Sequence, residues 1–257
     1  MILSLIFIAI LGLCLGSFAN VLIYRVPKEL SIVKPGSFCT TCNTKIRWYH
    51  NIPVISFILL RGKCSSCKTK ISIQYPLVEI LSSILLILVF LKFHSLKLFL
   101  IYGLFVFVLL IISVIDIHHS IIPDIFSFLL IFLGLIFSTF NSFLGYSILN
   151  RILESLLGIA AGVLLLGLIG FFGKLYFKKD AMGEGDIKLI AAIGAFLGWQ
   201  KVILTLFLGS LTGTIFSVAL IYLFSKKKWG DYIPFGPFLA VGAFLSIFIS
   251  ISLFSFH

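Results

Sequence analysis

Apolar runs of bilayer length recur along this chain, and they leave it one class of fold. Stretches nearly free of charge lie at 1–24, 76–93, 96–115, 121–140, 152–177, 202–225 and 233–256, with a shorter one at 187–199. A helix needs about 20 apolar residues to cross the hydrocarbon core, where each backbone polar group must be satisfied within the protein. The pattern therefore predicts an all-α polytopic membrane protein of about eight transmembrane helices. Composition agrees: 60% of the residues are hydrophobic and 11% charged, against about 25% charged in a soluble domain. The 187–199 run would reach only about 20 Å at 1.5 Å per residue, so it either begins before Asp186 or does not fully cross. The first run, Met1 to Tyr24, lacks a basic flank and a persuasive cleavage site, and reads as a retained helix. No internal repeat or low-complexity linker stands out.

The segment 25–75 breaks the pattern. It holds nine Lys/Arg, one acid (Glu29) and four of the five cysteines, and reads as one small polar domain between a first helix (1–24) and a core of about seven helices (76–257). Its apolar stretch, Val54 to Leu60, is too short to cross and suits a strand or an interfacial turn. The net charge of +11 would suggest nucleic acid in a soluble protein. Here the basic residues lie between apolar runs and set orientation instead, so no nucleic-acid partner is expected; a basic surface also attracts anionic membrane lipids. With the N-terminus outside, the inner face collects the nine basic residues of 25–75, then Lys174, Lys178, Lys179, Lys188 and Lys226 to Lys228. The outer face keeps Lys92, Lys97, Arg151 and Lys201. This places the N-terminus outside and the cysteine loop in the cytoplasm.

Cys39-x-x-Cys42 and Cys64-x-x-Cys67 are separated by 21 residues. Four thiolates at this spacing suit a closed, structural zinc site, with redox-active pairs as the alternative. A cytoplasmic location disfavours stable disulfides. The loop has few apolar residues with which to build a core, so metal would supply much of its folding energy. His50, beside Trp48 and Tyr49, reads as interfacial. Cys14 reads as packing.

Nine carboxylates are few enough to weigh singly. Glu29 and Asp180 fall in polar loops, Asp231 follows a lysine run, and Glu154 stands at ion-pair spacing from Arg151. Asp116, Asp124, Glu79, Glu184 and Asp186 fall at one side of the membrane at similar depth, where ionisable groups are functional candidates. Two such carboxyls brought together cannot both ionise and share a proton. The ionised one can then take a proton from water while the other donates to a scissile carbonyl oxygen. Asp186 ends Gly183-Glu184-Gly185-Asp186, where glycine leaves room for a peptide beside the backbone; a simple helix N-cap is the equal alternative.

These residues resemble the type IV prepilin peptidase family. The resemblance rests on Gly183-x-Gly185-Asp186 with Asp116 ahead of Pro123-Asp124, and extends over nearly the whole chain. Gly16-Ser17-Phe18-Ala19-Asn20-Val21 with Arg25-Val26-Pro27 is similar to the family's opening signature. Asn51-Ile52-Pro53, Leu60-Arg61-Gly62-Lys63-Cys64, Ile71-Ser72, Tyr75-Pro76-x-x-Glu79 and Pro234-Phe235-Gly236-Pro237-Phe238 follow in order. Departures are small: isoleucine stands at Ile122 where leucine commonly precedes the proline. The resemblance implies eight helices, a catalytic Asp116–Asp186 dyad, and cleavage of a basic leader from prepilin or pseudopilin precursors at the bacterial cytoplasmic membrane. It also implies N-methylation of the new amine with S-adenosylmethionine, favoured by the cysteine loop that shorter relatives lack. Nothing in the spacing marks a methyl-donor site.

Supporting roles remain open. Asp124 suits orienting the dyad, contacting the leader, or a helix N-cap. Glu79 suits binding the substrate's amine, serving methyl transfer, or pairing with a nearby Lys or Arg. Lys188 suits lipid phosphates, or tuning Asp186. Gly158, Gly162, Gly167 and Gly170 allow close helix contact. The rival readings are a transporter, whose acids would lie near the midplane, and a non-catalytic assembly scaffold with a zinc-stabilised loop.

Overall fold

A computed structural model describes residues 2–178, 182–222 and 233–249. Lys179, Asp180, Lys226 to Lys228 and Asp231 lie outside these residues, as does the end of the run 233–256. The described residues are helical: α1 (Ile2–Arg25), α2 (Ile55–Leu59), α3 (Gln74–Lys92), α4 (Leu96–His119), α5 (Asp124–Ser138), α6 (Ile148–Phe177), α7 (Glu184–Leu197), α8 (Trp199–Tyr222) and α9 (Gly236–Phe248). Among them α1, α3, α4, α6 and α8 are long and apolar enough to cross a membrane. The helices α5, α7 and α9 have 15, 14 and 13 residues, short of the length that spans the hydrocarbon alone. The run 121–140 is longer than α5 because Pro123 fixes the helix start, whereas α7 begins at Glu184, ahead of its short run and of Asp186, and Gly198 ends it. Within Val54 to Leu60 the chain forms α2 and not a strand; among the described residues pairing is confined to the isolated bridges Phe38↔Lys45 and Lys63↔Lys70.

The chain divides into two compact units, Met1–His94 and Ser95–His257. In the first, α1 lies on α3 at backbone distance. A Cβ added at Gly12 would come 2.5 Å from Ser83 Cα, and one at Gly16 equally close to Glu79 Cα. Lipid tails are as apolar as leucine, so helices in a membrane associate through such close packing and through hydrogen bonds. Both are present here: Ser83 Oγ donates to the Ala9 carbonyl (3.0 Å), and Asn20 Nδ2 donates to the carbonyls of Gly16 and Tyr75.

In the second unit α4 is the most enclosed of the long helices. It packs against α5 and α9, while α7 is wedged between α5 and α6. Nearly every residue from Leu189 to Leu197 is fully buried, which explains how so short a helix is accommodated: it faces protein and not lipid. Gly158 of α6 meets Gly194 of α7 backbone to backbone, and Gly162 meets Ile190. Gly167 faces open space and Gly170 meets only Met182, so of Gly158, Gly162, Gly167 and Gly170 only the first two serve close helix contact. At the far end of α7, Tyr102 Oη, the Asn141 amide and the Phe196 carbonyl bond to one another. Phe105 stacks on Phe196 at 4.6 Å between centroids. Gly198, at φ +78°, supplies the left-handed conformation that turns the chain directly into α8.

Several charges serve the fold. Lys201 is buried and donates to the carbonyls of Ser246 and Ile249 at the C-terminal end of α9, where orphan carbonyls and the helix dipole favour a cation. Arg151 donates to the carbonyls of Thr139, Gly145 and Tyr146, closing the loop before α6. Glu154 lies against Trp199 and Gly198, and the helical spacing to Arg151 is not used for an ion pair.

If the glycine contact holds α7 in place, Gly194→Leu should destabilise the protein by about 1–3 kcal/mol through overpacking. Gly167→Leu should stay within roughly 0.5 kcal/mol. Thermal unfolding of the two variants in one detergent gives the comparison, and equal melting temperatures would contradict this account.

Candidate active site and metal centre

Asp116 stands one turn from the end of α4, and Asp186 is the third residue of α7. They are 70 positions apart in sequence, yet both are buried, at 3% and 7% exposure, and Asp116 is close enough for its charge to act on Asp186. Each also meets the N-terminal end of a helix, where backbone N–H groups and the dipole favour an acid. Asp116 Oδ2 accepts the Gly236 N–H, the first of α9, at 3.1 Å. The Asp186 carboxyl lies against the Gly183 backbone. Gly183, not Asp186, holds the N-cap position; Asp186 sits three residues in, where a carboxylate reaches back to the cap residue's N–H.

Three glycines and Ile122 shape this pair. A Cβ on Gly236 would stand 2.6 Å from Asp116 Oδ2, so this position must stay bare for the hydrogen bond to form. A Cβ on Gly183 would touch Asp186 Oδ2 at 3.1 Å. One on Gly185 would stand 2.9 Å from Ile122 Cβ, and Ile122 also reaches the Gly236 position. The space beside Gly185 is therefore filled by Ile122 of the α4–α5 linker, and is not open to a peptide. Neither Ile122 nor Gly236 has a sequence signal of its own for this role beyond lying in a matching motif.

Asp124 and Lys188 form an ion pair, with Lys188 Nζ 2.7 Å from Asp124 Oδ1. It joins the first turns of α5 and α7. Asp124 is the first residue of α5 after the N-cap Pro123, and Lys188 reaches it and not Asp186. The pair is largely exposed, so it contributes little to stability, about 0–1 kcal/mol; its effect is to fix where α7 starts against α5. Glu184 and the His118–His119 pair are exposed near the same helix ends.

In the first unit the ligand sulfurs of Cys39, Cys42, Cys64 and Cys67 lie within 4.8 Å of one another and could hold a metal ion. Two copies of one knuckle build the cluster, offset by 25 residues. The Cys39 N–H donates to the Thr44 carbonyl and the Cys64 N–H to that of Thr69. Asn43 N–H bonds to Cys39 O as Lys68 N–H does to Cys64 O, and Ile46 N–H bonds to Ser37 O as Ile71 N–H does to Gly62 O. Asn43 and Lys68 take the same positive φ, 55° and 60°. The repeat is written in the sequence as Cys-x-x-Cys-x-Thr-Lys-Ile, a short internal repeat that a search for helical repeats passes over. The Cys39 thiol is lowered to about 6 by the backbone N–H groups of Cys42 and Thr41. Cys67 is lowered by the Thr69 hydroxyl, 2.7 Å from its sulfur. Both shifts favour the thiolate, the metal-binding form.

Glu79 is buried on α3 and its Oε2 accepts the Val54 N–H at 2.7 Å, with Ser17 close by. Its partner is thus a neutral donor, in place of the expected Lys or Arg. Val54 is held at φ +58°, costly for a β-branched residue, and Glu79 satisfies its amide there.

Comparison with known proteins accounts for both units. Residues 10–93 match the family described as the bacterial peptidase A24 N-terminal domain, and residues 103–218 match the type IV leader peptidase family. The prepilin leader peptidase/N-methyltransferase of Pseudomonas aeruginosa is 35% identical over 93% of this chain and 88% of its own length. Those of Neisseria gonorrhoeae and Legionella pneumophila are 37% and 32% identical over 92% and 97% of this chain, and 87% and 93% of their own. No solved structure matches. With its two family segments in order and relatives aligned almost end to end, the chain belongs to the type IV leader peptidase family.

Proposed function

We propose that this protein is a membrane aspartic endopeptidase that removes the leader of prepilin-like precursors and N-methylates the amine it exposes. The observation that carries the reading is the convergence of Asp116 and Asp186, both buried at helix ends and near enough for the charge of one to act on the other. Ionising both would place two negative charges together in a medium that stabilises neither, so they hold one proton between them. The ionised carboxylate accepts a proton from the attacking water, and the protonated one donates to the scissile carbonyl oxygen. The donated proton is replaced by the one taken from water, so the pair is ready again after exchanging roles. The Gly236 N–H fixes the Asp116 carboxyl and the Gly183 backbone fixes that of Asp186. Asp124 and Lys188 set the register of α5 and α7 beneath them.

The acids lie near helix ends, whereas a transport pathway would carry them near the midplane; the transporter and scaffold readings are not carried further. Counting α5, α7 and α9 with the five long helices gives eight, with α7 sheltered by protein. The Lys/Arg distribution favours the N-terminus outside, with the cysteine loop and the dyad at the cytoplasmic face of the inner membrane.

Zinc is the metal we assign to Cys39, Cys42, Cys64 and Cys67. Tetrahedral Zn–S bonds of about 2.3 Å place sulfurs about 3.8 Å apart, and Cys39 and Cys67 stand at 3.9 Å. Bound there, zinc contributes folding energy and no catalytic position. S-adenosylmethionine is the methyl donor in this reading, and no residue is assigned to it.

Purified protein in a bilayer mimic, mixed with a synthetic precursor, tests the proposal when the cleavage product and its N-terminal mass are both read. Asp116→Ala and Asp186→Ala should each lower cleavage at least about a hundredfold, the scale of general acid–base catalysis, while insertion is retained. Normal cleavage by either variant would end the dyad assignment. Gly236→Ala should lower kcat about tenfold or more by displacing the Asp116 carboxyl, with insertion unchanged. Cys39→Ser and Cys64→Ser should release zinc, read by metal analysis, and reduce methylation more than cleavage; equal loss of both would argue against separable sites.

A further inference from the structure

The short helix α2 presents an apolar face that the first unit leaves uncovered. Ile55, Ile58 and Leu59 follow the i, i+3, i+4 spacing of one helical face, and are 55%, 67% and 75% exposed. Trp48, in the turn before it, is 80% exposed. The opposite face is tied down: Ser56 is buried, accepts the Ile52 N–H and donates to the Tyr49 carbonyl, and Phe57 packs on Gly62. The exposed face is therefore a rigid feature of the loop. Exposed Arg47, Arg61 and Lys63 flank it.

The depth of α2 is fixed by one hydrogen bond. Val54, the N-cap of α2, donates to Glu79, five residues inside the start of α3 at Gln74. At 1.5 Å per residue this is about 7–8 Å inside the end of a membrane helix. Interfacial apolar faces lie about 5–10 Å into the headgroup and acyl boundary. A tryptophan beside an apolar helical face, ringed by arginine and lysine, matches the chemistry of that layer: apolar groups inward, an amphipathic ring at the boundary, cations at anionic headgroups.

We propose that α2 and Trp48 form a membrane-docking wedge that seats the cysteine loop in the anionic lipid interface. Its occupant is the headgroup layer of the membrane that α1 and α3 cross. Charge complementarity selects lipid over a second copy of this chain, since the patch is ringed by cations that would repel their own kind.

The full-length protein in nanodiscs tests this, with phospholipid brominated high on the acyl chain as quencher. The part of the quenching due to Trp48 is the difference between the wild-type protein and Trp48→Phe. In phosphatidylglycerol it should amount to about a twofold loss of Trp48 emission, the result of interfacial burial. It should be smaller in phosphatidylcholine, and should be abolished in the Ile58→Asp/Leu59→Asp variant. Should that variant fail to insert, Arg47→Gln/Arg61→Gln replaces it and should weaken quenching in phosphatidylglycerol only. Absence of Trp48 quenching in both lipids overturns the proposal, as does quenching that is equal in the two lipids. Relief of quenching when precursor peptide is added would assign the face to peptide instead. Cleavage measured on the same samples reports the dyad independently, so failure of the wedge and failure of the protease reading are distinguishable.

Discussion

Helices in a bilayer gain nothing from hiding apolar surface from other apolar surface, so whatever holds them in register must come from close backbone approach and from hydrogen bonds. This constraint organises the protein. Gly12 and Gly16 bring α1 onto α3, and Gly158, Gly162 and Gly194 bring α6 onto α7. The second contact matters most for the site. A helix of 14 residues could not stand alone in lipid, and burial on all sides lets α7 end near one face with Asp186 in its first turn.

Once α7 is placed, the acid pair follows from helix ends. The last turn of α4 supplies Asp116, the first turn of α7 supplies Asp186, and the first N–H of α9 holds Asp116 in orientation. The N-terminal end of α9 thus meets Asp116 and that of α7 lies beside its own Asp186. Ile122 fills the gap that Gly185 opens, so the glycines of this motif serve tight assembly before they serve access. The same economy appears in Lys201 and Arg151, cations that close helix ends and loops within the structure.

Legibility in the sequence followed the range of the interaction. The cysteine cluster was readable because its ligands are local: two loops of four residues, each repeating the same hydrogen bonds. The repeat itself escaped notice because its period, 25 residues, carries no hydrophobic pattern. The long helices were readable from their apolar length. The partner of Lys188 was not, because Asp124 lies 64 positions away and composition places lysines at membrane surfaces whatever they bind. Glu79 was singled out as a membrane-depth acid, but its partner is a backbone N–H, which no residue type announces.

By itself, then, the sequence determined the class of fold, the helix-forming runs, the metal-ligand set and the candidate acids, since each depends on composition or on spacing within a few turns. Only the tertiary structure decided that α5 and α9 are short, that Asp116 and Asp186 come within reach of each other's charge, that Gly236 holds one of them, and that Val54 is pinned to Glu79. Those outcomes depend on which helix faces touch, and close approach between residues far apart in the chain is settled by packing of the whole assembly, which no local pattern records.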